Sequence, residues 1–391
     1  MSTLKVNAIR QTAASSDAVT LAADGTCTAK ITNNLSNRNL IINGAMQIAQ
    51  RGTSFADPSD GTYVMDRWKI RNPTGTPAIT WTKDSESPDG FASSLKCDCT
   101  TADTSLAAGE FTRIEYHAEG QDLQAFAKGT SSAKKAILSF YVKTNKTGVY
   151  VVNMDDADNS RNFSASYTVS DSNWNRYTIS IPADTTGAWG NDNGGSLEID
   201  FGLAIGSTRN SGDAGDLPTA WGAHASNTQF AGQVNFVDST SNDFYITGVQ
   251  LEIDSTGSGV ATDFEHRTYP DELIRCQRYY QVIAKGSEGS SGTHNPIVSG
   301  AVYSDNSFWY GVARFQTKMR TGPTLDVVNG TDYYGVYRGG GIDLCDDVAV
   351  NNESTDSATI RFGGNFSGTR PGAGWARTNH ASAFVAFSAE L

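Results

Sequence analysis

The side chains able to do chemistry are scattered along this chain. Five histidines (His117, His224, His266, His294, His380) stand far apart, and no HExxH, GxSxG or phosphate-loop spacing links one to a nucleophile or metal-binding partner. The five cysteines, Cys27, Cys97, Cys99, Cys276 and Cys345, are odd in number and form no CxxC pair, so neither a zinc site nor a disulfide framework is expected. Cys97 and Cys99, two apart, point to one face of a strand as buried thiols. In MDDADNS the carboxylates of Asp155, Asp156 and Asp158 crowd together as in a Ca²⁺ loop, but the D-x-[DN]-x-[DN]-G spacing is broken. No metal and no cofactor are therefore expected. Asp66 and Arg67 read as polar contacts beside a core Trp68, and Glu265, His266 and Arg267 as an ion-pair and hydrogen-bond set. With no acid, base or nucleophile placed for a reaction, the chain is expected not to be an enzyme.

Binding is the better-supported chemistry. Carbohydrate recognition needs an aromatic platform for the apolar face of a sugar ring and planar polar groups for its hydroxyls. Trp81, Trp174, Trp189, Trp221, Trp309 and Trp375 are the candidates, with Tyr333 and Tyr334 as a further pair. Trp221 falls in the Gly/Ala/Asn-rich loop 210–233, and Trp375 in TRPGAGWARTNH, which reads as a Gly/Pro/Arg loop. The expected receptor-contacting patch is Trp375 with Arg370, Arg377, Asn379 and His380, with Trp221 as a second exposed aromatic.

The elements that must position these residues are strands. Glycine is abundant, with 39 residues, and Ser/Thr/Asn/Asp clusters separate short apolar runs, a pattern that argues for an all-β chain. A length of 391 residues suits two core-containing domains and an appendage. Residues 1–38, with one or two weak strand patterns, cannot bury a core alone. From residue 39, where Leu40, Ile41, Ile42, Met46 and Ile48 open the domain, roughly a dozen short β runs follow, ending in QVNFV and FYITGVQLEI. Phe244, Ile246, Val249 and Leu251 cannot share one face in strict alternation, so a bulge is expected near Gly248. PDELIRCQRYY then changes to helical register, with Pro270 in the first turn and Leu273, Cys276 and Tyr280 on one stripe. Six further runs, from GTHNPIVSGAVYS to AFVAFSAEL, predict a second β-domain. No repeat of the kind that builds a parallel β-helix is visible.

The net charge of −12, without a Lys/Arg cluster, disfavours nucleic acid, and no run approaches the roughly 18 apolar residues of a membrane span. The opening residues lack the layout of a signal peptide, so assembly in a cytoplasm is expected.

GVQLE, ATDFEHR and ELIRCQRYY resemble a family of bacteriophage tail-fibre proteins whose central domain is a jelly roll like a carbohydrate-binding module. NLIINGAMQIAQRGTS, MDRWKI, AILSFYVKT, GAWGNDNGGSLEIDFGLAIGS and AFVAFSAEL are similar to the same family. The resemblance implies a virion-attachment and oligomerisation segment (1–38), a jelly-roll domain (39–268), a connecting helix (269–284) and a β-rich tip (285–391). It also implies a homotrimer, docking of the N-terminus on other tail proteins, Trp68, Trp174 and Trp189 as packing residues, and a tip that adheres to host surface polysaccharide. The expected function is thus host attachment by a virion tail fibre. A purely structural fibre or adaptor, a tailspike-type depolymerase and a secreted lectin module are the alternatives.

Overall fold

The structure, a computed structural model, describes every residue except 1–5, 14, 16, 26, 30–36, 74–76, 256, 289–293, 303–306 and 368–371. Period-two alternation builds its larger unit. In the strand Gly195–Ile205, Leu197, Ile199, Phe201 and Leu203 enter the core, while Glu198 and Asp200 face the other way. Phe111–Glu119 and Gly148–Asp156 alternate likewise, sending Ile114, Tyr116, Tyr150, Val152 and Met154 inward. These strands form a seven-stranded antiparallel sheet in the order Gly222–Ala223, Arg161–Val169, Gly148–Asp156, Gly195–Ile205, Phe111–Glu119, Trp68–Arg71, Tyr63–Met65. A six-stranded sheet faces it, ordered Asn175–Ile181, Ala136–Thr144, Asp243–Ile253, Ser94–Thr101, Ala78–Asp84, Ser54–Ala56. Their inner faces share one core around Trp68, Trp81, Phe140 and Phe201, the jelly-roll sandwich expected for the chain.

The bulge lies where the mismatch in FYITGVQLEI requires it. Ser139 pairs with Gln250 and Tyr141 with Thr247, so two residues, Gly248 and Val249, oppose Phe140. Gly248 sits at φ +62°, and a Cβ there would come within 2.8 Å of both Phe91 and Tyr141. Two expected strands are absent. Ile41, Met46 and Ile48 are fully buried, but the chain through them is a tight turn, not a strand. Asn43, at φ 59°, holds that turn by donating to the carbonyls of Ile48 and Asp66 and accepting from the amides of Gln47 and Ile48. QVNFV ends in a 3₁₀ turn, Phe236–Asp238, capped by the Asn235 side chain, because this local bond outcompetes a ladder.

Helix Tyr269–Gln277 starts with Thr268 as N-cap and Pro270 in its first turn; Cys276 is buried and Leu273 half-buried. Tyr280 is not part of it, contrary to the helical stripe. It begins the strand Tyr280–Lys285, whose aromatic and β-branched residues pair with Phe384–Ser388. Thr324–Val328 completes this three-stranded sheet, and Phe387 pins the final strand into the core. Opposite lies a seven-stranded sheet in the order Gly341–Cys345, Tyr334–Arg338, Ala373–Thr378, Pro296–Val302, Trp309–Arg314, Ser357–Gly363, Asp347–Glu353. The two close over Trp309, Tyr334, Ile360, Phe362 and Phe387, a second, smaller β-sandwich.

Buried charge joins the two sandwiches. The Arg67 guanidinium lies 3.5 Å over the Tyr279 ring and donates to Glu390 Oε2 at 2.5 Å and to the His117 carbonyl at 2.5 Å. Glu119 receives Arg278 through two bonds of 2.7 Å and the Tyr279 hydroxyl at 2.5 Å. Asp66, Arg67 and Trp68 are buried together, as their order in MDRWKI implies. The FEHR segment clasps the start of the domain. Glu265 accepts from the amides of Asn37 and Asn39, and Arg267 donates to the carbonyls of Asn39 and Ile41. Cys97, Cys99, Cys276 and Cys345 are buried free thiols. Near the N-terminus Ala8–Ile9, Val19–Leu21 and Cys27–Ala29 form a small sheet that leaves Val6, Ile9 and Leu21 exposed. Among the described residues no helix is long and apolar enough to cross a membrane.

Candidate functional site

Trp375 does not lie in a loop. Small side chains decide this: Ala376 and Thr378 fit fully buried against the second core, so the strand Ala373–Thr378 runs through the sheet and turns Trp375 and Arg377 outward. Register places Tyr337 opposite Trp375, and Gly335 opposite Arg377. The Trp375 and Tyr337 rings stack with centroids 4.8 Å apart at 13°, and Trp375 remains 41% exposed. Gly374 allows the close approach, since a Cβ there would stand 2.1 Å from the Tyr337 carbonyl oxygen. The Arg377 guanidinium lies 4.5 Å from the Tyr337 ring and donates to Asn379 Oδ1 at 3.4 Å. Asn379 is fixed in turn, its amide donating to the Tyr333 carbonyl at 2.7 Å and its Nδ2 to the Asp332 carbonyl at 3.0 Å. Exposed His380 stacks on Tyr333 at 4.2 Å and 8°. Trp375, Arg377 and Asn379 are thus brought together through Tyr337, His380 stacks on Tyr333 instead, and Arg370 lies outside the described residues. The result is a plate, a stacked pair of rings with Trp375 partly exposed, edged by a guanidinium and an amide.

Trp221 is placed otherwise. Its indole donates to the Pro182 carbonyl at 3.1 Å, its ring packs 5.9 Å from Phe163 and 6.4 Å from Trp189, and Lys128 lies 5.5 Å above it. The loop is where the sequence puts it, but the ring anchors that loop to the sandwich and is half-buried. Trp81, Trp189 and Trp309 are buried, and Tyr334 is a core residue whose hydroxyl donates to the Val328 carbonyl at 2.7 Å. Trp174 is half-buried, its indole donating to Glu86 at 3.2 Å. Tyr337 is the plate residue the sequence reading passed over, although YYGVYR places it on the face opposite to Tyr334 and Val336.

A second polar surface also escaped the sequence reading. The outer face of the seven-stranded sheet in the larger sandwich carries rows of charge across neighbouring strands. One row runs Asn162, Asp155, Glu198, His117; the next runs Ser164, Asn153, Asp200, Glu115, Lys69; a third pairs Arg113 with Arg71. Glu115, fully buried, meets Lys69 at 2.6 Å, His117 at 2.7 Å, Arg113 at 3.0 Å and Arg71 at 3.3 Å. Burial pushes its carboxyl up, but the hydrogen bonds and charges of these partners outweigh it and hold Glu115 well below the usual range. Arg113 also reaches Glu198 and Asp200, each at 3.0 Å. Burial raises Asp200 well above its ordinary value against the pull of Arg113, and raises Asp155 with help from Glu198. Beside this belt, Phe230, Ala231 and Leu217 of the loop pack on Phe111, Val151 and Ile205 and close off the neighbouring surface. The three carboxylates of MDDADNS diverge: Asp155 joins the belt, Asp156 accepts from Lys128 at 2.5 Å, and Asp158 accepts from the Gly190 amide at 2.9 Å. The signal for the belt was alternation of charge in R-x-E-x-H, E-x-D and N-x-D, each in a run whose intervening residues are apolar.

No family model matches the chain, and no curated protein does. Solved structures do. A putative sugar-binding protein from Bacteroides thetaiotaomicron aligns at 12% identity and TM-score 0.29 over 55% of this chain and all of its own. The family 11 carbohydrate-binding module of a cellulosomal cellulase from Clostridium thermocellum aligns at 12% identity and TM-score 0.25, over 51% of this chain and 95% of its own. An exo-β-agarase aligns at 10% identity and TM-score 0.28 over 77% of this chain and 40% of its own.

Proposed function

We propose that this chain binds carbohydrate without cleaving it, and that the Trp375–Tyr337 plate with Arg377 and Asn379 is where it does so. The observation that carries this is an exposed tryptophan held in place by stacking on its cross-strand neighbour in mid-sheet, where a rigid backbone fixes it before any ligand arrives. A pre-set plate spares a ligand the ordering cost that a mobile loop would exact. Arg377 and Asn379 then supply donors and an acceptor to ring hydroxyls at the edge of the plate. A shallow site of this kind gives weak single contacts, of roughly millimolar strength, which become firm only in multiple copies. That requirement agrees with the tail-fibre resemblance of the motifs, so we place the chain on a virion as a host-attachment fibre, self-associated and recognising surface polysaccharide.

Affinity electrophoresis of the full chain through gels containing host surface polysaccharides tests this. Retardation of the wild type, lost in Trp375→Ala with an unchanged melting temperature, is the expected result. Equal loss of melting temperature would move Trp375 into packing, and no retardation by any glycan would favour a purely structural fibre. Shortening of the polysaccharide on prolonged incubation would overturn the non-catalytic part.

A further inference from the structure

The belt on the larger sandwich contains a set of groups that the carbohydrate reading does not use. Asp155 and Glu198 are direct cross-strand partners, and Asp200 is the next outward residue after Glu198 on the same strand. One carboxylate oxygen from each of the three lies within 4.8 Å of the others. Oxygens bound at about 2.3–2.6 Å to one Ca²⁺ lie at most roughly 5.2 Å apart, so the spacing fits a shared ion. Three carboxylates drawn this close are not by themselves a site, because Arg113 stands among them.

The hydrogen bonding of each oxygen separates the two cases. Arg113 takes Asp200 Oδ2 and Glu198 Oε1, each at 3.0 Å, and Asn153 Nδ2 reaches Asp155 Oδ2 at 2.8 Å. Of the complementary oxygens, Glu198 Oε2 lies 3.4 Å from the His117 ring nitrogen. Asp200 is fully buried, yet its Oδ1 has no hydrogen-bond partner, and buried Asp155 Oδ1 has beside it only the His224 ring nitrogen at 3.2 Å. A fully buried carboxylate oxygen without a donor is costly, and natural folds rarely keep one without a use. Arg113 and Asn153 hold one oxygen of each carboxylate, as outer-shell partners orient metal ligands. All three donors are hard anionic oxygens, which select Ca²⁺, Mg²⁺ or Mn²⁺ over softer ions.

We propose that Asp155, Glu198 and Asp200 bind one hard divalent cation on the outer face of the seven-stranded sheet. The broken Ca²⁺-loop pattern in MDDADNS contributes a single ligand to it, Asp155, and the other two come from a strand some forty residues further on. Water completes the coordination, since the face is only partly covered and Glu198 is 20% exposed.

Isothermal titration of the chelator-treated full chain with CaCl₂, MgCl₂ and MnCl₂ in turn tests the assignment. One equivalent of at least one of these ions is expected, with binding weakened tenfold or more in Asp155→Asn and Glu198→Gln and retained in Asp158→Asn. A melting temperature that rises with the cation, but not with NaCl of equal ionic strength, is the matching expectation for the unaltered chain. That second readout holds even where a substitution fails to fold. Absence of both heat and a melting shift with all three ions overturns the proposal, and so does binding that survives both substitutions, because the ion then sits elsewhere.

Discussion

Each sandwich contains a seven-stranded sheet, and the outer faces of the two sheets are built on opposite plans. On the larger one, acids and cations fill alternate positions of neighbouring strands and sink until Glu115 and Asp200 are fully buried. On the smaller one, the corresponding positions carry two stacked rings and one arginine, and Trp375 stays 41% exposed. Buried charges are held by one another, so their interaction energy is already committed to the fold. An exposed plate is committed to little, and its surface is available to a ligand. Substitutions of the belt residues that brace the face, Arg113 and Glu115, should therefore register as stability, and substitutions in the plate as glycan affinity.

The largest effect is expected from Arg113→Met. It strands the buried Asp200 and takes one partner each from Glu115 and Glu198, the situation in which removing half of a buried ion pair costs about 3–5 kcal/mol. Urea unfolding of the larger sandwich measures it. A cost below about 1 kcal/mol would mean that water already screens the belt, and the contrast between the faces would fail.

Glu115→Gln comes next, at about 2 kcal/mol near neutral pH for the loss of charged hydrogen bonds. Its pH dependence carries the sharper information. The folded Glu115 carboxyl lies below its unfolded value, so its contribution is fully present above the ordinary 4.5 and is lost as pH falls through the folded value. The variant should lose that part of the acid limb. Asp200 acts in the opposite sense: its folded value lies above 3.8, so stability associated with it declines as pH rises through that range. Stability curves of wild type and Glu115→Gln against pH should hence converge at low pH. Parallel curves would show that Lys69, Arg71, Arg113 and His117 do not act on Glu115.

How much of this could be read in advance follows from which interactions are local. The bulge at Gly248 was legible because a count of apolar residues against a period of two leaves a remainder within one strand. The N-terminal half of the helix was legible from Pro270 and the register of Leu273 and Cys276, while its end was not, because Tyr280 is claimed by Phe384–Ser388 about a hundred residues away. Trp375 could be chosen as a candidate from its type and its polar neighbours. Its setting was misread, because Gly and Pro in TRPGAGWARTNH favour a loop locally, whereas burial of Ala376 and Thr378 favours a strand. Its partner Tyr337 depends on register across two strands. The belt was least legible: R-x-E-x-H looks like an ordinary solvated face until five strands align such faces into rows.

On the plate the expected effects are smaller and of another kind. Trp375→Ala should cost about 1–2 kcal/mol of glycan affinity, a tenfold or somewhat greater weakening, with stability changed by less than about 0.5 kcal/mol. Affinity electrophoresis together with thermal unfolding separates the two quantities. Tyr337→Ala is the complement: with its backing ring gone, Trp375 keeps its area but loses its fixed orientation, and affinity should fall by a similar factor.

The smallest effect, and the finest discriminator, belongs to Arg377. Its guanidinium lies 4.5 Å from the Tyr337 ring and donates to Asn379, so it both braces the plate and extends its polar edge. A cation–π contact at an exposed site is worth about 0.5–1 kcal/mol, which sets a two- to fivefold loss of affinity for Arg377→Ala. Arg377→Lys keeps the charge but not the planar fork, so a role in hydrogen bonding to sugar hydroxyls predicts that lysine recovers little of the loss. Recovery to wild-type affinity in Arg377→Lys would assign the residue to charge alone, and the ligand would then have to carry acidic groups. A stability loss larger than that of Trp375→Ala would instead make Arg377 a structural brace, and the smaller sheet would resemble the larger one after all.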